Sequence, residues 1–110
     1  MNSESVEQPM KSDTELKIEM LQLKKAALIL RAVNHKLRQI ILKLIHQNGR
    51  MPVTEIYMKL RLEQSVASQH LAILRKAGFV TTAREGKFIY YSVDYNWLSE
   101  VHRVVGELLK

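Results

Sequence analysis

The sequence predicts a mainly helical fold with one β-hairpin, because the spacing of its apolar residues changes twice along the chain. Apolar residues recur every three or four positions up to Lys76 and again after Asp94, as in amphipathic helices. Between them, residues 79–93 are rich in β-branched and aromatic types on either side of Glu85-Gly86, which predicts a hairpin. Four helices, a hairpin wing and a fifth helix form a winged helix-turn-helix.

The charge of the chain is unevenly distributed. Its 110 residues suffice for one domain, and the net charge is +6 at pH 7. The first 15 residues nevertheless carry four acidic side chains against one lysine, so the remainder is strongly basic. We expect residues 1–13 to be a flexible acidic tail and residues 14–110 to be the folded domain. A basic domain of this kind indicates a polyanionic partner such as nucleic acid.

Several classes of protein are excluded by what the sequence lacks. It has no cysteine, which rules out disulfides, thiolate metal sites and thiol redox switches. No apolar run approaches the roughly 20 residues that a membrane-spanning helix needs, and the acidic N-terminus is unlike a secretory signal. We therefore expect a cytoplasmic protein without a cofactor.

The first helix, from about Thr14 to Ala32, carries a heptad seam of apolar residues. The last helix begins near Asp94 and has a broad apolar face. Both helices have more apolar surface than one neighbouring element can bury, which predicts a second subunit. The residues expected at this dimer interface are Leu16, Met20, Leu23, Leu30, Trp97, Val101, Val105 and Leu108.

The second and third helices are delimited by capping and turn residues. Asn34 is expected to cap the second helix, and Asn48-Gly49 to end it with glycine at positive φ. Pro52 fits the first position of the third helix. A brief turn at Arg61-Leu62 then leads into the fourth helix.

The fourth helix, roughly Gln64 to Lys76, has the composition of a DNA-reading helix. Ala67, Leu71 and Leu74 form an inward-facing stripe. The side chains on the opposite side of the first turns are short and mostly polar. Such groups fit the major groove and can bond to base edges or touch a thymine methyl. The alternative is an ordinary solvated helix surface. The residues expected at the bases are Gln64, Ser65, Val66, Ser68 and Gln69.

Basic residues beside this helix are expected at the DNA backbone. Arg84 and Lys87 flank the hairpin turn, where a protruding tip can bind phosphates or enter the minor groove. His70 either donates to a phosphate or packs against a neighbouring helix. Each of the remaining cations either reaches a phosphate or is only a solvated charge. These cations are Lys36, Arg38, Arg75 and Lys76.

These segments together resemble the ArsR/SmtB family of bacterial winged-helix repressors. The resemblance covers about Asn34 to Tyr95. The carrying segments are His35-Lys36-Leu37-Arg38-Gln39-Ile40-Ile41-Leu42, Gln64-Ser65-Val66-Ala67-Ser68-Gln69-His70-Leu71, Leu74-Arg75-Lys76-Ala77-Gly78-Phe79-Val80 and Arg84-Glu85-Gly86-Lys87-Phe88-Ile89-Tyr90-Tyr91. It implies a homodimer formed by the first and last helices, recognition of a palindromic operator by the fourth helix, and repression relieved by an inducer.

The chain departs from metal-sensing members of that family. Their Cys-x-Cys at the start of the third helix corresponds here to Pro52 and Thr54. Zinc prefers several nitrogen or sulfur ligands, and the last helix offers one histidine among three carboxylates, so we expect no metal site. The candidates for such a site are Asp94, Glu100, His102 and Glu107. Glu63 stands where the family usually has Ser or Thr at the cap of the reading helix.

The sequence thus predicts a sequence-specific DNA-binding regulator, a repressor by resemblance, that acts as a homodimer on double-stranded DNA. Two alternatives stay open: a winged-helix module that binds protein rather than DNA, and a metal-responsive repressor with a non-thiolate site. An enzyme is not expected, because the sequence has neither a nucleophile elbow nor a glycine-rich phosphate loop. The inducer, if the protein has one, is unknown from the sequence.

Overall fold

The computed structural model describes residues 13–110, so the predicted acidic tail lies outside the described residues except for Asp13. Five helices and three strands make up the fold. In chain order they are α1 (Asp13–Val33), α2 (Lys36–Asn48), β1 (Met51–Pro52), α3 (Val53–Leu60), α4 (Gln64–Lys76), β2 (Val80–Glu85), β3 (Phe88–Val93) and α5 (Tyr95–Leu108). The predicted winged helix-turn-helix is confirmed. No helix within residues 13–110 has the length and apolar character needed to cross a membrane.

One strand of the sheet was not predicted from the sequence. β2 and β3 form the expected antiparallel hairpin, and β1 adds a third strand by pairing Met51 with Tyr91 and Pro52 with Tyr90. Pro52 was expected inside the third helix, but it ends β1 with extended dihedral angles and precedes the first helical residue. A proline is tolerated here because β1 lies at the edge of the sheet, where one side needs no N–H donor.

Side chains cap both α2 and α5. The last helix begins next to Asp94, as expected, and the Asp94 side chain accepts a hydrogen bond from the backbone N–H of Trp97 at 3.0 Å. His35, not Asn34, caps α2 by accepting from the N–H of Arg38 at 3.4 Å. The prediction for Asn34 is wrong because its own N–H still donates to the carbonyl of Leu30, so Asn34 closes the last turn of α1.

The core lies between α2, α3, α4 and the sheet. The inward stripe predicted for α4 is confirmed, since Ala67, Leu71 and Leu74 are fully buried. They anchor α4 and so fix which of its faces points outward. The largest fully buried side chains are Phe79, Ile41, Ile45, Met51, Ile56, Leu71 and Leu74.

Helix α1 extends well beyond this core. Of its described side chains only Ala32 is buried, while Ile29, Leu30 and Val33 are partly buried against the core. The described residues therefore span 56 × 28 × 22 Å. A helix that projects from a domain in this way while carrying apolar side chains lacks a neighbour to cover them.

The end of α4 is joined to α5 by Trp97. Its indole N–H donates to the carbonyl of Ala77 at 2.7 Å, and Gly78 follows in a left-handed conformation with φ +92°. The indole packs so closely on Gly78 that an added Cβ would lie 2.8 Å from the indole nitrogen. The start of α5 is thus held against the C-terminus of the helix that carries the candidate site.

Candidate nucleic-acid interface

The exposed face of α4 consists of short polar side chains, as the sequence predicts. Gln64, Ser65, Ser68 and Gln69 are exposed, and Val66 is half-buried. Because the opposite face is locked into the core, these side chains are presented on a rigid support. None of these side chains is large, so they do not block entry of the helix into a major groove, which is about 12 Å wide in B-DNA.

The turn before α4 sets the direction in which this face points. Arg61 ends α3 in the left-handed conformation with φ +55°, and the N–H of Leu62 donates back to the carbonyl of Tyr57 at 2.9 Å. The carbonyl of Glu63 accepts the first hydrogen bonds of α4, whereas the Glu63 side chain makes no cap bond. The first turn of α4 contains no acidic residue, so Glu63 at the cap position supplies the negative charge next to the positive end of the helix dipole.

The wing carries its cations at the tip. Gly86 adopts φ +63° in the turn between β2 and β3, and Arg84 and Lys87 on either side of it are exposed. Arg84 pairs with Ile89 across the hairpin, and only the Glu85–Phe88 pair lies between it and the turn. Both side chains are placed where they can contact a phosphate backbone. Arg75, in the last turn of α4, is exposed as well.

A salt bridge that the sequence did not reveal neutralises the one acidic residue of the wing tip. Both guanidinium ends of Arg50 donate to the Glu85 carboxylate, the longer contact being 2.8 Å, and the guanidinium lies 4.2 Å from the centre of the Tyr90 ring. This hydrogen bonding lowers the pKa of Glu85 and raises that of Arg50. The two residues are 35 positions apart, so no local pattern could have paired them.

We expect the Glu85→Gln substitution to tighten binding to every duplex by a few fold, because it removes a negative charge from the wing and releases Arg50 toward phosphates. Fluorescence anisotropy with specific and random duplexes at constant salt measures this. Glu100→Gln is the matched control, since Glu100 pairs with Arg103 at 2.6 Å on α5, away from the wing. Unchanged binding by Glu85→Gln would contradict an approach of the wing tip to the duplex, and weaker binding would contradict the expected gain from removing this negative charge.

The sequence left two roles open for His70, donation to a phosphate or packing against a neighbouring helix. In the structure His70 packs against α2, which favours the packing role. Its Nδ1 atom lies 3.1 Å from Nη1 of Arg38, and its ring centre is 4.9 Å from that of His35. Desolvation of the half-buried ring, followed by the nearby His35 and Arg38, lowers the pKa of His70. Neither role that the sequence left open for Arg38, a phosphate contact or a solvated charge, fits this buried side chain; Lys36 is exposed.

The eight residues predicted at a dimer interface fall into two groups. Leu16, Met20, Leu23 and Leu108 are exposed large apolar side chains in this protomer. The other four already have neighbours: Leu30, Trp97 and Val105 are partly buried against the core, and Val101 is buried within it. Val101 therefore stabilises the protomer itself, because its face of α5 is turned toward the core. Further exposed apolar residues are Leu21 and Leu28 on α1, Val104 on α5, and Leu109 directly after α5.

Three of the four residues considered as zinc ligands have partners of their own. Asp94 caps α5, Glu100 pairs with Arg103, and Glu107 lies 3.1 Å from Lys110. His102 is exposed on α5. In the part of the chain that the structure describes, no three His, Asp or Glu side chains come together to hold a metal ion. The prediction that the protein has no metal site stays a prediction.

Similarity to known proteins shows which family this chain belongs to. Residues 35–82, from the cap of α2 into β2, match the family described as "Bacterial regulatory protein, arsR family". The chain is also 38% identical over 89 residues to an HTH-type transcriptional regulator of Methanocaldococcus jannaschii, a match that covers 81% of this chain and 100% of that protein. The chain belongs to the ArsR family. The resemblance inferred from the sequence is thereby confirmed.

Two further proteins similar to this ArsR-family chain are also transcriptional regulators. The transcriptional repressor PagR of Bacillus anthracis is 35% identical, over 71% of this chain and 78% of that protein. The crystal structure of the transcriptional regulator HlyU from Vibrio vulnificus has a TM-score of 0.60 and 35% identity, covering 86% of this chain and 97% of that one. This ArsR-family chain is a DNA-binding transcriptional regulator and not an enzyme.

Proposed function

We propose that this regulator represses transcription in the cytoplasm by binding a palindromic operator as a homodimer. The observation that carries the proposal is the combination, on one protomer, of an exposed polar face on α4 and a row of exposed apolar side chains on the projecting part of α1. The first feature fits a major groove, and the second fits another copy of the chain. A single protomer offers only one reading helix, whereas operator affinity commonly rests on two.

The dimer is supported by the amount of apolar surface that α1 leaves in water. Leu16, Met20, Leu21, Leu23 and Leu28 are all more than half exposed. Fully burying one such side chain contributes roughly 1.5–3 kcal/mol, so several from each of two copies outweigh the cost of association. Leu108 and Leu109 at the end of α5 add to the same kind of surface. A two-fold axis is the simplest way in which identical patches cover each other.

The two reading helices of such a dimer would lie about 34 Å apart, one turn of B-DNA. We assign the base edges to exposed polar groups of α4 and a thymine methyl to Val66, which is half-buried but lies on its first turn. We assign the phosphates to the cations of the wing and of the last turn of α4. The assigned residues are Gln64, Ser65, Val66, Ser68, Gln69, Arg75, Arg84 and Lys87.

Repression is the direction of regulation that we propose. PagR and a biofilm growth-associated repressor of Agrobacterium fabrum carry that activity in their names, whereas HlyU of Vibrio cholerae is named a transcriptional activator. A promoter fused to a reporter in cells with and without this protein separates the two directions. Higher reporter output in the absence of the protein supports repression, and lower output supports activation.

Selection of bound duplexes from a random pool tests the proposal, using the full chain. We expect the recovered sequences to converge on an inverted repeat whose half-sites are centred about 10 base pairs apart. Recovery of a non-repeated motif would contradict the homodimer on a palindrome. Failure to enrich any sequence, with retention of protein partners from the same preparation, would instead favour a protein-binding module.

Gln69 and Lys87 are expected to affect binding in different ways. Gln69→Ala removes a group assigned to a base edge, so we expect loss of about 1–3 kcal/mol on the selected operator and little change on random duplex. Lys87→Ala removes a phosphate contact, so it weakens binding to all sequences alike and lowers the slope of log K against log salt by about 1. Equal losses on both duplexes for Gln69→Ala would contradict its assignment.

A further inference from the structure

A buried arginine without a carboxylate partner joins three helices next to the reading face. Arg38 is 8% exposed, and among the side chains whose burial the structure describes it is the one charged residue that is buried. From α2, its Nε donates to the carbonyl of Ala32 at 2.6 Å and its Nη2 to that of Arg31 at 3.3 Å, both in the last turn of α1. Its Nη1 lies 3.1 Å from Nδ1 of His70 on α4.

The surroundings of Arg38 indicate a purpose other than general stability. Burying a cation is costly unless nearby groups compensate it. Here the compensation comes from the negative end of the α1 dipole and from a histidine nitrogen, not from an acidic side chain. The same guanidinium thus fixes the C-terminus of α1 and the middle of α4 at once.

We infer that Arg38 is a positioning residue that holds α4 against α1 through a neutral His70, so that protonation of His70 weakens operator binding. This inference rests on the proposed function, in which α1 contributes to the dimer and α4 reads the operator. The α1–α4 link then sets the spacing and tilt of the two reading helices. His70 directly follows Gln69, so a displacement of its ring displaces the reading face.

The contact requires a particular protonation state of His70. Arginine has only donors, so Nδ1 of His70 must accept and cannot carry a proton. The charged and titratable groups that face the ring are Arg38 and His35 on α2, while α1 presents the carbonyls of Arg31 and Ala32, and the Arg31 side chain is exposed. Protonation would remove the acceptor and place a second cation against the guanidinium.

The pH dependence of operator binding therefore has a definite sign. The pKa of His70 is lowered in the folded protein, mainly by desolvation, so the unfolded chain takes up its proton first as the pH falls. The stabilising contact is complete above about pH 6.5 and is lost as the pH falls from there through the folded pKa. A His70 that bound DNA phosphate as a cation would instead strengthen binding on acidification.

The test compares operator affinity between pH 8 and pH 5.5 for the full chain and two variants, using the selected duplex in an anisotropy assay. His70→Asn keeps an acceptor oxygen near the position of Nδ1 but does not titrate. His35→Asn removes the neighbouring titratable ring and keeps a cap residue at the start of α2. We expect operator binding by the wild-type protein and by His35→Asn to weaken by a few fold on acidification, and His70→Asn to lose most of this dependence.

A charge-retaining variant of the arginine gives a second measurement. Arg38→Lys keeps a cation, but its single ammonium nitrogen cannot reach the three acceptors that the three guanidinium nitrogens contact. We therefore expect about 10-fold weaker operator binding at pH 8 with dimerisation intact by sedimentation. The inference is overturned if the wild-type protein tightens on acidification, if His70→Asn keeps the wild-type pH dependence, or if Arg38→Lys binds like the wild type. Absence of binding to any duplex would overturn the proposed function itself, and the inference with it.

Discussion

Gly78→Ala is expected to destabilise the folded protein by about 3 kcal/mol, and this is the largest effect that we expect from a single methyl group. A non-glycine residue in the left-handed region costs roughly 1–2 kcal/mol. The added Cβ would also lie 2.8 Å from the indole nitrogen of Trp97, forcing apart the hydrogen bond to Ala77, which contributes about 1 kcal/mol. Urea unfolding followed by tryptophan fluorescence measures the loss, because Trp97 is the one tryptophan in the chain.

Gly86→Ala is the matched control for this prediction. Gly86 also has positive φ, at +63°, but no atom lies within 4 Å of the position of an added Cβ. It should therefore cost only the backbone term of roughly 1–2 kcal/mol. Equal losses for the two variants would contradict the close packing of Trp97 on the end of α4. Trp97→Phe is expected to share part of the Gly78→Ala loss, since it abolishes the bond to Ala77.

Leu23→Lys is expected to weaken dimerisation by about 100-fold, which corresponds to roughly 3 kcal/mol per dimer. Leu23 is 70% exposed in the protomer, so the substitution costs little in the isolated chain. In the proposed dimer the same position would bury a lysine ammonium on each side of the two-fold axis. Sedimentation velocity over a concentration series measures dissociation, and operator binding should fall in parallel.

Met58→Lys controls for the simple addition of charge to an exposed apolar site. Met58 is 68% exposed on α3, outside the two helices assigned to the dimer. Its substitution should leave the sedimentation profile unchanged. A fully dimeric Leu23→Lys variant, or dissociation caused equally by Met58→Lys, would place the interface elsewhere on the molecule.

The features that the sequence predicted well are those encoded by local periodicity. The inward stripe of α4 repeats at helical spacing, and the change to strand-like residues after Gly78 marks the hairpin directly. The exposed polar face of α4 then follows from the stripe on its opposite side.

The features that the sequence did not predict depend on contacts between distant residues. β1 is two residues long, too short for any alternation to show, and it exists only because β3 lies beside it. The pairs Arg50–Glu85 and Arg38–His70 join positions 35 and 32 residues apart. One signal for Arg38 was present: it precedes Ile41 and Leu42 by three and four positions, which places it on the buried face of α2.

Guanine methylation protection on the selected operator tests most directly whether two copies of α4 read one duplex. Dimethyl sulfate methylates guanine at N7, which lies in the major groove where the polar face of α4 is proposed to sit. We expect protection in two major-groove segments related by two-fold symmetry and centred about 10 base pairs apart. Protection of a single segment, or an unprotected major groove on a duplex that is bound, would contradict a symmetric dimer that reads DNA through α4.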